Sequence, residues 1–191
     1  MMKIIIFLLG QLLFSSLVHA GVTAIPAPPG IRANAYLLQD FDSGKVLASR
    51  NIDQKMPPAS LTKMMTIHIV SNELESGRIT LDDEVLVSKK AWKMPGSRMF
   101  IEVNKKVSVG DLLKGVIIQS GNDASVALAE YISGTEEVFA ELMNQYASKL
   151  GMTNSHFMNS TGLPDEQHYT TPKDMAILAD ATPIFIDAGL D

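Results

Sequence analysis

Apolar and polar side chains alternate from Ala33 to Asp40, a stretch that holds Tyr36, Leu37 and Leu38. Asp42-Ser43-Gly44-Lys45 is a turn sequence, and Val46 to Ser49 resumes the apolar run around Leu47. This pattern predicts a β-hairpin and is the clearest strand signal in the chain. After Pro57-Pro58-Ala59 the period changes. Ser60 to Leu74 contains neither Gly nor Pro, and Leu61, Met64, Met65, His68 and Ile69 recur at helical spacing. A helix this apolar is expected to run buried through the domain centre. Gly77 closes it.

Leu81 to Ser88 reads as a short strand or turn region, and Gly96 to Val103 as a loop with apolar residues. Val109 to Ile118 and the Ala-rich Gly121 to Tyr131 are predicted helices. Val138 to Leu150 is an amphipathic helix that Gly151 caps. Asn159 to Thr171 is polar and turn-rich, and Pro172 occupies the first position of a helix through Lys173 to Ala181. There is no internal repeat. A lone hairpin needs further strands for stability, and the sequence barely offers any. The pattern is that of an incomplete mixed α/β domain.

The first twenty residues follow another logic. Lys3 gives a positive start, Ile4 to Val18 is mostly apolar, and Val18-His19-Ala20 is a small-x-small cleavage signal. Residues 1–20 are expected to be a secretory signal peptide. The alternative is an uncleaved membrane anchor, for which the apolar stretch is short. Either reading carries the rest of the chain across a membrane. After cleavage no membrane association is encoded. Residues 21–33, with Pro26, Pro28 and Pro29, form an extended lead-in.

Composition narrows the chemistry. The chain has 191 residues, a net charge of −5 and no Lys/Arg run, so nucleic-acid binding has no electrostatic support. With no cysteine, disulfides, thiol nucleophiles and Cys-ligated zinc are excluded. His156 and His168 have no metal-ligand spacing, and His68 lies on an apolar helix face, so neither metal nor cofactor is expected. The 11 methionines read as core filler. Met99-Phe100-Ile101 fits an exposed cleft loop and a buried segment equally well.

Ser60-Leu61-Thr62-Lys63 is the main chemical feature. A serine at a helix start lies near free backbone N–H groups, and a lysine three residues on shares its face. Serine needs a base to become a nucleophile, and a lysine serves when burial lowers its pKa. The plainer reading is a helix cap beside a surface lysine. Against it, this is the only Ser-x-x-Lys in the chain, and Lys63 sits within the apolar Leu61–Met65 run. Ser120-Gly121-Asn122 falls between two predicted helices, where Ser120 could relay a proton and Asn122 could donate both to a substrate amide and to Lys63. The plainer reading is again a helix cap.

Taken together, the two motifs point to a family. Pro58-Ala59-Ser60-Leu61-Thr62-Lys63-Met64-Met65-Thr66 resembles the active-serine segment of the low-molecular-weight penicillin-binding proteins of D-alanyl-D-alanine carboxypeptidase type. Tyr36 to Ala48, Gln119 to Ala124, Asn154 to Phe157, Gly162-Leu163 and His168 to Ala176 continue the similarity, which runs from about Asn34 to Leu178. The peptidase part is expected over residues 34–181. The resemblance implies a penicillin-binding-protein/β-lactamase-like transpeptidase fold, an antiparallel sheet flanked by helices. It also implies a periplasmic acyl-serine peptidase acting on peptidoglycan pentapeptide and inhibited by β-lactam antibiotics. Ser60 would be the nucleophile and Lys63 its base. Ser120 would protonate the leaving D-Ala, Asn122 would hold substrate, and the Ser60 N–H would be half of an oxyanion hole.

The sequence departs from the family in two places. No Lys-Thr-Gly occurs in residues 1–191, and residues 182–191 match no family pattern. A frameshift or premature stop would produce both, a naturally short family member is the alternative, and the later sheet strands are expected to be missing. A related endopeptidase or β-lactamase is an alternative, though Gly121 in place of Asp favours the peptidase. A non-catalytic penicillin-binding remnant is another.

Overall fold

In the computed structural model, which describes residues 30 and 32–182, the hairpin pairs β1 (Tyr36–Gln39) with β2 (Val46–Arg50). The pairing is antiparallel, with an irregularity between Leu38 and Gln39. The turn is fixed by Asp40, whose carboxylate accepts the Ser43 N–H at 3.0 Å. Leu38, Phe41, Val46 and Leu47 remain exposed. The predicted signal peptide, the lead-in apart from residues 30, 32 and 33, and all but Thr182 of the tail lie outside the described residues.

The chain next makes a single 3-10 turn, Ala59–Thr62, and passes into α1 (Lys63–Glu75). The α-helix thus begins at Lys63 rather than at Ser60. A second antiparallel pair joins β3 (Glu84–Leu86) to β4 (Lys106–Ser108), with α2 (Lys89–Trp92) between them. β4 was not legible in the sequence, because Lys105-Lys106-Val107-Ser108 is too short and polar to carry a strand pattern. Then come α3 (Val109–Gln119), α4 (Asn122–Ser133), α5 (Glu136–Leu150) and α6 (Pro172–Ala181). Ser108, Thr135 and Thr171 cap three of these helices by accepting the N–H three residues on.

Two apolar clusters share the interior. Val70, Val85, Val87, Leu112, Leu113, Val116 and Leu128 belong to one. Met65, Ile69, Phe139, Met143, Phe157, Met175 and Leu178 belong to the other. α1 and α4 contribute to both. α1 therefore buries residues around its circumference, as expected of a central helix. α4 buries every residue from Asn122 to Ala129. Its alanines let neighbouring backbones approach. Together these elements leave the N-terminal ends of α1 and α4 close enough for Lys63 and Asn122 to bond.

Candidate active site

The turn that carries Ser60 is held in an unusual shape. Ala59 has φ +47°, the left-handed region that a Cβ disfavours. This brings Ser60 to an exposed position, and its N–H makes no hydrogen bond among the described residues. A free N–H beside a serine hydroxyl is the donor an oxyanion requires. The shape is braced from outside by Gly162, at φ +86°. A Cβ there would fall 1.8 Å from the Ala59 carbonyl oxygen. Only glycine admits this contact of backbone on backbone.

Lys63 is 3 % exposed. Its Nζ donates to Asn122 Oδ1 at 2.7 Å and to the Thr161 carbonyl at 2.8 Å. No carboxylate pairs with it among the described residues. Burial without a counter-ion disfavours the ammonium and lowers the pKa to about 8. About a tenth of such lysines are neutral at pH 7. No hydrogen bond joins Ser60 to Lys63 in this state. Contacts between nucleophile and base often tighten only once substrate is bound.

The role expected of Asn122 toward Lys63 is reversed. An ammonium has only donors, so Asn122 accepts from Lys63 instead of donating to it. The Asn122 Nδ2 donates to the Pro95 carbonyl at 2.6 Å, and the backbone N–H to Ser97 at 2.7 Å. Neither Ser120 nor Asn122 is an N-cap. Ser120 ends α3 in the left-handed conformation, at φ 53° and ψ 38°, and Asn122 is the first residue of α4. The Ser120 hydroxyl oxygen is buried and has no hydrogen-bond partner among the described residues. An unsatisfied buried hydroxyl costs about 1–3 kcal/mol, so it invites a ligand or a proton relay.

Several residues that build the site were not singled out in the sequence. The Asp123 carboxylate is fully buried and accepts the N–H groups of Met99, Phe100 and Ile101 at 3.0, 2.8 and 3.2 Å. This clamp fixes the 97–101 loop with Phe100 at φ +64°. It also settles the Met99-Phe100-Ile101 ambiguity: Phe100 is exposed and Ile101 buried. Asp123→Ala would orphan three donors and is expected to destabilise the fold by about 2–4 kcal/mol, measurable by urea unfolding. Asp123→Asn, which keeps one acceptor, should lose less.

On the opposite side, Asn159 Oδ1 accepts from the N–H groups of Thr161 and Gly162 and from the Thr161 hydroxyl. The Ser160 carbonyl accepts from Thr66 of α1 and Ser125 of α4. Glu136 of α5 accepts from both the N–H and the hydroxyl of Ser160 and pairs with Lys90 at 2.9 Å. Three helices thus hold the loop that offers the Thr161 carbonyl to Lys63. Glu136 looks like an ordinary acidic residue in a helix first turn, so sequence gave no sign of this. Glu136→Ala is expected to cost about 2 kcal/mol of stability and to raise the Lys63 pKa as the loop loosens and water enters, which NMR titration of the lysine would show.

A buried lysine with a lowered pKa, one helical turn from an exposed serine, is a pair of groups that a serine acyl-transfer centre could use. Comparison with known proteins gives the family. The family profile described as D-alanyl-D-alanine carboxypeptidase matches residues 22–183, and the chain belongs to that family. It is 47 % identical over 175 residues to the D-alanyl-D-alanine carboxypeptidase DacC of Escherichia coli, covering 88 % of this chain and 44 % of the relative. It is 46 % identical over 147 residues to DacF of Bacillus subtilis, covering 77 % and 38 %. The crystal structure of the D-alanyl-D-alanine carboxypeptidase DacD from Francisella tularensis superposes with a TM-score of 0.80 at 44 % identity, over 82 % of this chain and 38 % of that one. Penicillin binding protein 5 from Haemophilus influenzae gives 0.78 at 45 %, over 81 % and 46 %. The fold is therefore that of the penicillin-binding proteins, seen among the described residues as helices with two small antiparallel sheets. The chain spans about two fifths of the length of the curated relatives it matches.

Proposed function

We propose that this chain carries the acylation centre of a serine-type D-Ala-D-Ala carboxypeptidase acting on peptidoglycan pentapeptide stems. The observation that carries the reading is the buried Lys63, its pKa lowered to about 8, one helical turn from an exposed serine on a strained, braced turn. In this reading Ser60 Oγ attacks the carbonyl of the penultimate D-Ala, and its proton passes to neutral Lys63. The Ser60 N–H stabilises the oxyanion. The Ser120 hydroxyl, buried without a partner among the described residues, passes a proton to the departing D-Ala nitrogen and takes one in its place from the protonated Lys63. Asn122 keeps Lys63 in place and offers its second amide hydrogen to substrate. Water then hydrolyses the ester. A β-lactam acylates the same serine and leaves slowly.

Export belongs to the same reading. Residues 1–20 act as a signal peptide, residues 21–33 as a lead-in and residues 34–181 as peptidase, working in the periplasm, with residues 182–191 a tail of which the family match takes in only the first two. Among the described residues no helix is long and apolar enough to cross a membrane. The test is incubation with a fluorescent penicillin and, separately, with a peptide ending in D-Ala-D-Ala. Labelling and D-Ala release that both vanish in Ser60→Ala support the reading. Labelling without D-Ala release supports acylation without turnover. Absence of both in the folded chain contradicts it.

A further inference from the structure

His168 lies outside the two motifs, yet it is buried against the turn that carries the first of them and is 3 % exposed. Its Nε2 lies 2.9 Å from the hydroxyl of Thr62, the fully buried residue between Ser60 and Lys63 in the chain. Its Nδ1 accepts the Met158 N–H at 3.3 Å. Because a backbone N–H can only donate, Nδ1 carries no proton, and the neutral ring must bear its hydrogen on Nε2. That hydrogen points at Thr62. The ring is held edge-on by Phe157 at 5.7 Å between centroids, and the backbone N–H of His168 donates to the backbone carbonyl of Asp165 at 3.1 Å. The imidazole therefore connects the loop after α5 to the Ser-x-x-Lys turn.

We propose that His168 is a positioning residue for the acylation centre: neutral and protonated on Nε2, it anchors Thr62 and so holds the turn that presents Ser60. This rests on the acyl-serine reading above. It adds a second titration to the site. A proton arriving at Nδ1 would face the Met158 N–H, donor against donor, and the ring or the loop must shift. Thr62 then loses its anchor. The proton has a route, because His168 borders a hollow of about 310 Å³ at the surface, lined also by Lys55, Asp165, Glu166 and Tyr169.

The charged groups around the ring act in both directions. Asp165 favours protonation and His156 opposes it, while Lys55 and Glu166 border the same hollow with opposite sign. Burial is the largest influence and holds the pKa below the ordinary 6.5. The sign follows: His168 is neutral at pH 7, and its anchoring is lost as the pH falls through its folded-state pKa.

The experiment combines nitrogen NMR of the full chain between pH 5 and 8 with acylation rates by fluorescent penicillin. The proposal expects His168 in the Nε2–H tautomer, with the Ser60, Thr62 and Met158 amide signals moving together as His168 titrates. It expects His168→Leu to acylate at least tenfold slower at pH 7–8, where the wild-type ring is neutral, with the gap narrowing as the pH falls, Thr62→Val to do the same, and the double variant to be no slower than either. His168→Gln, which can still donate to Thr62 but does not titrate, should keep most of the rate at pH 7 and lose the extra fall at acid pH. An Nδ1–H tautomer, a Ser60 amide indifferent to His168, or a fall at acid pH in His168→Gln as steep as that of the wild-type chain, beyond the slope that Lys63 sets, overturns the proposal. If the wild-type chain is not acylated at all, the acyl-serine reading fails, and the NMR arm still decides whether His168 holds the turn.

Discussion

Gly162→Ala is expected to abolish acylation of Ser60 by penicillin, by at least a hundredfold, although residue 162 bears no chemical group. Two effects act at once. The residue sits at φ +86°, where an L side chain costs on the order of 1–3 kcal/mol. More damaging is the position of the new methyl, 1.8 Å from the Ala59 oxygen and 2.4 Å from the Ala59 carbonyl carbon. Those atoms are backbone and cannot rotate aside. Either the 159–163 loop withdraws, taking the Thr161 carbonyl from Lys63, or the Ala59 turn is pushed out and Ser60 moves with it. Both disarm the site. Gly134→Ala is the matched control. It has φ +81° and open space around the added methyl, so it pays the conformational penalty alone and should leave acylation intact.

Lys63→Met is the second large effect. Loss of a general base typically removes a factor of about 10²–10⁴, and labelling should fall by that much. The fold should survive. Methionine removes a buried unpaired ammonium, which favours the folded state, but leaves Asn122 Oδ1 and the Thr161 carbonyl without a donor, which opposes it. The two offset, and thermal unfolding should move little. Lys63→Arg should be equally inactive, since a guanidinium stays charged. The pH profile supplies the mechanism. A pKa of about 8 means the neutral base grows with pH, so the wild-type acylation rate should climb roughly tenfold per pH unit below 8 and level off above it. In Lys63→Met that climb should disappear.

The sequence made the candidate residues legible more fully than the support around them. Ser60, Lys63, Ser120 and Asn122 stand in short motifs, and the helices that carry them follow from apolar spacing and from caps such as Thr171-Pro172. The structure brings Lys63 and Asn122 into contact, although it turns their hydrogen bond around. Less could be read of the groups that hold them. Asp123, Glu136 and Asn159 act through contacts with residues 2 to 24 positions away, and nothing in their neighbours distinguishes them from surface or turn residues. His168 looked like a loop histidine because its partner, Thr62, lies 106 residues earlier. Gly162 was noticed only as part of a motif, since its necessity comes from a backbone contact that no local pattern encodes. The 3-10 geometry at Ala59–Thr62 was hidden for the same reason: a helical apolar pattern does not separate the first turn from the rest.

The most direct test of the account is peptide mapping by mass spectrometry after exposure of the chain to a penicillin. The account predicts one stoichiometric penicilloyl adduct, on the peptide that contains Ser60, forming faster as the pH approaches 8 and absent from Ser60→Ala. An adduct on any other residue, or a folded chain that remains unmodified across that pH range, would contradict it.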